Sequence, residues 1–186
     1  MRPTYLLATI AAVAALAVPA AANLATGAKA PMFVGKGAVA GKPITFTLAT
    51  QLKKGPVVVY FFPAAFTGGC NAEAHAFAEA MPDFTAAGAT VVGLTAGNVD
   101  QLAKFSSEYC AGKFPVLAAT PEIISGYDVR LKKADGTDTN ITNRTSYVIA
   151  PNGKIIFVHS EMNAAGHVAS TLAAVRAWRT DHPKRR

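Results

Sequence analysis

The sequence predicts an α/β domain, a central β-sheet covered by helices on both faces. Three observations lead there. One is the run Pro56-Val57-Val58-Val59-Tyr60-Phe61-Phe62, continuously apolar and β-branched or aromatic, the pattern of a strand buried on both sides. Another is the alternation of strand-like and helix-like segments in the order β-α-β-α-β-β-α, whose right-handed crossovers put helices on both faces. The last is a balance of 51% hydrophobic to 16% charged residues over 186 positions, which suits a single globular core.

The elements follow in order. Arg2, an apolar run from Tyr5 to Val18, Pro19 and Ala20-Ala21-Ala22 have the layout of a secretory signal, so residues 1–22 are expected to be removed and the domain to occupy 23–186. The rival reading is an uncleaved anchor, but the run is short for a membrane span and ends in Pro and small residues. Membrane contact is expected only through that segment, if it stays. Asn23 to about Gly41 reads as an extended lead-in, and Ile44 to Leu48 as a strand. Pro63 ends the central strand, and Gly68 to Ala87 has helical composition, with Phe77, Met81 and Phe84 facing the sheet and a kink at Pro82. Val91 to Leu94 is a second buried strand, Val99 to Tyr109 a helix and Pro121 to Tyr127 a short helix. Thr145 to Ile149 and Lys154 to His159 flank the hairpin signal Pro151-Asn152-Gly153, and a helix from about Ala165 to Trp178 closes the chain.

Export places the two cysteines, Cys70 and Cys110, in a periplasmic or extracellular setting where a disulfide between them can persist. Removing residues 1–22 takes away one basic residue and no acid, lowering the net charge from +7 to +6. Lys184, Arg185 and Arg186 read as a solvated basic tail, and nothing interleaves aromatics with Lys and Arg as a nucleic-acid groove does. Nucleic acid is therefore not an expected partner. The four histidines are scattered, with no His-Glu-x-x-His pair, so no metal is expected, and the lack of Cys-x-x-Cys argues against a dithiol reductase.

The segment Pro63-Ala64-Ala65-Phe66-Thr67-Gly68-Gly69-Cys70 joins the C-terminal end of the buried strand to a helix, which is where open α/β sheets bind ligands. Cys70 falls in the first helical turn, among amides with no intrahelical acceptor. An ordinary cysteine is only about 3% thiolate at neutral pH, and making thiolate the majority species takes about 2 kcal/mol. A helix start supplies about 0.3–1 kcal/mol, so a cation has to be close. Arg144, just before the strand Thr145 to Ile149, is the candidate, against the plainer reading of a surface arginine at a strand end. Thr67 is placed to aim its hydroxyl into the same pocket, or to cap the helix. Pro63 and Phe66 would keep water from the pocket, although a proline after a strand is commonly just a stop.

At this point the residues resemble a known family. Pro63, Thr67 and Cys70 form a Pro-x-x-x-Thr-x-x-Cys pattern that is similar to the peroxidatic motif of peroxiredoxins of the AhpC/TSA type. Tyr60-Phe61-Phe62-Pro63, Glu73, Met81-Pro82-Asp83-Phe84, Val91-Val92-Gly93-Leu94, Lys113-Phe114-Pro115-Val116-Leu117, Arg144-Thr145-Ser146-Tyr147-Val148-Ile149 and Gly166-His167 extend the likeness. It resembles most the bacterioferritin-comigratory, or PrxQ-like, branch, and it covers most of Ala30 to Val175. The resemblance implies a thioredoxin-like fold and a thiol-dependent peroxidase. It would make Cys70 the peroxidatic cysteine, Arg144 its stabilising arginine, Thr67 the hydroxyl that orients peroxide and Pro63 the shielding residue.

Two departures stand out: Gly68 replaces the proline that many relatives carry after the threonine, and His75 occupies the position of a common local resolving cysteine. Cys110 resembles the alternative resolving site. The resemblance further implies hydrogen peroxide and organic hydroperoxides as substrates, no prosthetic group, and an external dithiol, a thioredoxin-like protein or a small thiol, as reductant. The competing expectation is a non-catalytic exported binding domain in which a Cys70–Cys110 disulfide is structural.

Overall fold

A computed structural model describes residues 23–183. The expected export signal, residues 1–22, and the basic end Lys184–Arg186 lie outside the described residues. The elements are β1 (Val34–Val39), β2 (Lys42–Thr47), α1 (Leu48–Leu52), β3 (Val57–Phe61), α2 (Gly68–Ala86), β4 (Thr90–Thr95), α3 (Leu102–Glu108, entered by a 3₁₀ turn), β5 (Val116–Ala118), α4 (Pro121–Tyr127), β6 (Arg130–Lys132), β7 (Asp138–Thr142), β8 (Thr145–Ile149), β9 (Ile155–Ser160) and α5 (His167–Asp181).

Seven strands form one mixed sheet in the order β2-β1-β5-β4-β3-β8-β9, with β6 and β7 as a separate ribbon. β3 runs parallel to β4 and β4 to β5, while β8 is antiparallel to both β3 and β9. All five residues of β3 are buried, as its unbroken apolar sequence requires. Its period-two alternation sends Val58, Tyr60 and Phe62 into a core beneath α2, α3 and α5, and Val57, Val59 and Phe61 into a second core beneath α1 and α4. Helices therefore cover both faces, as expected.

The structure departs from the sequence reading in several places. The lead-in contains β1, which pairs with β2 as a hairpin and with β5 on its other side. The glycines that made β1 look irregular allow this: a side chain at Gly37 would sit 2.0 Å from the Val116 carbonyl oxygen. The short strands β5, β6 and β7 and the helix α1 were not anticipated, whereas α2 spans Gly68–Ala86 with Pro82 inside it, close to the Gly68 to Ala87 expected.

For the site, one register matters. Phe61 at the end of β3 pairs with Thr145 at the start of β8, so the residue before β8 is set beside the loop that leaves β3.

Candidate active site

The loop from β3 to α2 is held from below. Thr95 donates from its hydroxyl to the Pro63 carbonyl at 3.0 Å, and Asn98 donates from its amide to the Ala65 carbonyl at 2.8 Å. A bridge joins Ala64 to Gly97, where any side chain on the glycine would collide with the Pro63 carbonyl at 2.5 Å. Phe66 takes a left-handed φ of 62°, which a residue with a bulky side chain adopts only when its surroundings impose it. Its ring stands edge-on to Phe105 and Tyr109 of the α3 region and covers that side of the loop. Pro63 is half-buried at the loop's start.

Thr67 occupies the N-cap position of α2, but its side chain makes no cap bond; the hydroxyl donates instead to the Ala64 carbonyl at 3.0 Å. The first-turn amides thus receive no side-chain cap, and Cys70, the third helical residue, lies among them with only 2% of its surface exposed. Thr67, Gly68 and Gly69 in front of it are exposed.

The register of β8 on β3 brings Arg144 to this point. The guanidinium is 5% exposed and all three of its nitrogens are engaged. Nε donates to the Met162 carbonyl at 2.9 Å, Nη1 to Glu73 Oε2, and Nη2 to Cys70 Sγ at 3.4 Å. Burial works against the guanidinium charge, but Glu73 and Cys70 outweigh it and hold Arg144 above its ordinary value. The planar fork suits this double engagement of a carboxylate and a sulfur.

The sequence reading assigned no role to the residues behind Arg144. Glu73, one turn along α2 from Cys70, is 2% exposed, and burial pushes its carboxyl up to about 7 against the pull of Arg144. Its second oxygen, Oε1, is buried without a hydrogen-bond partner and lies 3.7 Å from His167 Nδ1. The same Nδ1 is 2.8 Å from the Ser146 hydroxyl, and His167 Nε2 is 3.0 Å from the Glu161 carbonyl. Burial lowers His167 to about 4. The signal for Ser146 was available: a polar residue inside an apolar strand needs a buried partner. Nothing short of the fold identified His167 as that partner.

Cys110 follows the end of α3 and is fully buried, in the same apolar cluster as Cys70, Tyr60, Phe62, Phe77, Phe105 and Phe114. Burial pushes its thiol well above the usual range. Ala111 and Gly112 after it are both left-handed, closing the helix. Both cysteines are free thiols, so the alternative of a fixed Cys70–Cys110 bridge does not hold in this structure. His75, in place of the local resolving cysteine, lies on the surface of α2 and pairs with Glu79 at 3.4 Å. Among the described residues no three His, Cys, Asp or Glu side chains gather to hold a metal ion.

Comparison with known proteins agrees with this geometry. The AhpC/TSA family model matches residues 26–158. Chloroplastic peroxiredoxin Q of Sedum lineare is 30% identical over 140 residues, 74% of this chain and 70% of that protein. Peroxiredoxin Bcp of Xanthomonas campestris is 29% identical over 126 residues, 65% of this chain and 76% of its own. Among solved structures, peroxidoxin BcpB of Mycobacterium tuberculosis superposes with a TM-score of 0.70 at 29% identity, covering 82% of this chain and 96% of that one.

Proposed function

This chain belongs to the AhpC/TSA family of peroxiredoxins and is a thiol-dependent peroxidase, and on that premise we propose that Cys70 is its peroxidatic cysteine, with Arg144, Thr67 and Pro63 completing the site. The observation that carries the assignment is the contact of Arg144 Nη2 with Cys70 Sγ at 3.4 Å, at the open start of α2. A guanidinium and uncapped helix-start amides are the surroundings in which cysteines act as nucleophiles, the thiolate being the attacking form.

The thiolate attacks one oxygen of a hydroperoxide, forming an S–O bond while the O–O bond breaks. The departing alkoxide or hydroxide takes a proton and leaves as alcohol or water, and Cys70 is left as sulfenic acid. Thr67 serves the bound peroxide: with its proton committed to Ala64, its oxygen offers lone pairs to the peroxide O–H. Hydrogen peroxide and small organic hydroperoxides both satisfy this chemistry.

Cys110 then resolves the sulfenic acid, its sulfur displacing water to form an intramolecular disulfide. Both thiols are free in the structure, so closing a bridge, with its Cα atoms within about 7 Å, draws on movement of the first turn of α2 and the segment after α3. The exposed Gly68 and Gly69 and the left-handed Ala111 and Gly112 at those two places support this. An external dithiol, a thioredoxin-like protein or a small thiol, returns both cysteines to thiols by exchange. Export, with cleavage after Ala22, completes the reading. It rests on the sequence of residues 1–22 and is checked by whether the mature protein begins at Asn23.

The decisive experiment adds hydrogen peroxide to the reduced protein with no other reductant. Wild type consumes peroxide stoichiometrically, Cys70→Ser consumes none, and Cys110→Ser completes a first turnover and stops as sulfenic acid. Consumption that persists in Cys70→Ser would remove Cys70 from the role.

A further inference from the structure

We propose that His167 is a positioning residue for the Cys70 site, acting through a single proton that it shares with Glu73 and that decides how the Arg144 charge is divided between Glu73 and the Cys70 sulfur. The proposal rests on Cys70 being the reactive thiol; the proton itself follows from counting donors and acceptors.

His167 Nε2 faces a carbonyl oxygen, that of Glu161, at 3.0 Å, and a carbonyl only accepts, so Nε2 carries the hydrogen. In the neutral ring Nδ1 is then a bare acceptor, and the Ser146 hydroxyl at 2.8 Å donates to it. Glu73 Oε1 approaches the same Nδ1 to 3.7 Å and has no other partner, while Oε2 is taken by Arg144. With the carboxylate ionised and the ring neutral, two acceptors face each other in a dry site, and one is an orphaned anionic oxygen. Such an arrangement carries a large desolvation cost.

One added proton removes the conflict. Placed on Glu73 Oε1, it removes the orphaned negative charge and turns a donor toward Nδ1 across 3.7 Å, a gap that closes to a hydrogen bond only as the Ser146 hydroxyl gives up the single Nδ1 lone pair, and it leaves the ion-paired Oε2 free to accept from Arg144. Placed on the imidazole, it would create a second buried cation near Arg144, with His159 packed edge-on at 4.4 Å as a further opponent. The carboxyl is therefore the favoured home. The groups that face this pair are Cys70 and Glu73 from α2, Arg144 just before β8 and Ser146 within it, His159 from β9, the Glu161 side chain, whose charge favours the imidazolium, with the Glu161 and Met162 carbonyls from the following loop, and the buried Tyr60 hydroxyl of β3.

The consequence falls on Arg144, whose two Nη groups serve two acids. With Glu73 protonated, an ionised Cys70 would be the only anion on the guanidinium. With Glu73 ionised, the two anions compete for it. Ionisation of Cys70 and protonation of Glu73 thus favour each other, and His167 supplies the acceptor that makes the protonated carboxyl acceptable at zero net charge.

Carboxyl ¹³C and imidazole ¹⁵N NMR on the reduced full-length protein tests this without peroxide. The expected result is that the Glu73 carboxyl titrates near neutrality and His167 remains the neutral Nε2–H form through that step. In Cys70→Ser, with no thiolate to favour the proton, the Glu73 titration moves to lower pH by on the order of one unit. In His167→Gln, whose amide donates to Oε1, Glu73 stays ionised through neutral pH. The pH profile of Cys70 alkylation carries a second inflection in wild type and loses it in Glu73→Gln. A Glu73 carboxyl that titrates in the ordinary acid range, or a neutral titration unmoved in Cys70→Ser, overturns the proposal. A protein that shows the shared proton but consumes no peroxide would sink the peroxidase assignment alone.

Discussion

Two cysteines occupy one apolar cluster yet have opposite surroundings, and the contrast separates reactivity from burial. Cys70 is at a helix start, with an arginine on its sulfur and a second layer of Glu73, His167 and Ser146 behind that arginine. Cys110 is past a helix end, where carbonyls rather than amides are left over, and hydrocarbon alone pushes its thiol up. Both are almost completely buried. A thiol is made reactive here by which end of a helix it meets, by one cation and by an open loop in front of it, since the exposed surface of the two sulfur residues themselves hardly differs.

The strongest way to break the contrast is to modify both thiols in the native reduced protein with a small alkylating agent. Cys70 reacts first, because Arg144 and the helix-start amides surround its sulfur and the exposed Thr67, Gly68 and Gly69 in front of it admit the reagent. Cys110 reacts only through local opening, and an opening cost of about 4 kcal/mol makes it roughly a thousand-fold slower. Mass spectrometry after timed quenching reads both sites. Equal rates would mean that helix polarity and Arg144 contribute nothing.

A smaller effect sharpens the cation's share. Arg144→Ala removes the hydrogen bond to the Cys70 sulfur, a contact worth about 1.5–3 kcal/mol to the attacking thiolate, so alkylation of Cys70 at neutral pH slows by about ten- to a hundred-fold. Arg144→Lys falls between, since one ammonium cannot reach the Met162 carbonyl, Glu73 and Cys70 together. Cys110 alkylation is unchanged in both. An Arg144→Ala protein that folds and reacts at the wild-type rate would take the arginine out of the mechanism.

The same contrast explains what was legible in the sequence. Cys70 could be found because its chemistry is local: an apolar strand, a proline stop and a helix within one segment specify where the sulfur points. Arg144 followed from topology, since a strand that pairs antiparallel with the central one must start where the central one ends. β1 escaped because Gly35 and Gly37 look like loop residues until Val116 and Leu117 are seen pressed against them. His167 is 94 residues from Glu73, a separation no periodicity bridges; the resemblance marked both residues but gave neither a role nor the contact between them. Gly93 belongs to the same class, since only the fold reveals the Tyr60 ring lying 2.7 Å from where its side chain would begin.

The smallest expected effect is a near-absence of one, and it divides the charged side of the cluster from the dry side. His167 is lowered from 6.5 to about 4, so the fold favours the neutral ring; its contribution is present above pH 6.5 and is lost as pH falls through about 4. Glu73 is raised from 4.5 to about 7, so the fold favours the protonated acid; its contribution is present below pH 4.5 and is lost as pH rises through about 7. Between those limits the two slopes oppose each other at similar size, and the urea midpoint of wild type should change little from pH 4.5 to 6.5. Glu73→Gln removes the falling slope, so its stability should climb with pH over that window by about 1–3 kcal/mol. Cys110→Ser should leave the wild-type curve level, because no ionisable partner of that pair is lost with it. A Glu73→Gln curve as level as wild type would mean that the two buried groups do not titrate as an opposed pair, and the charged layer behind Arg144 would then be as inert to pH as the hydrocarbon around Cys110.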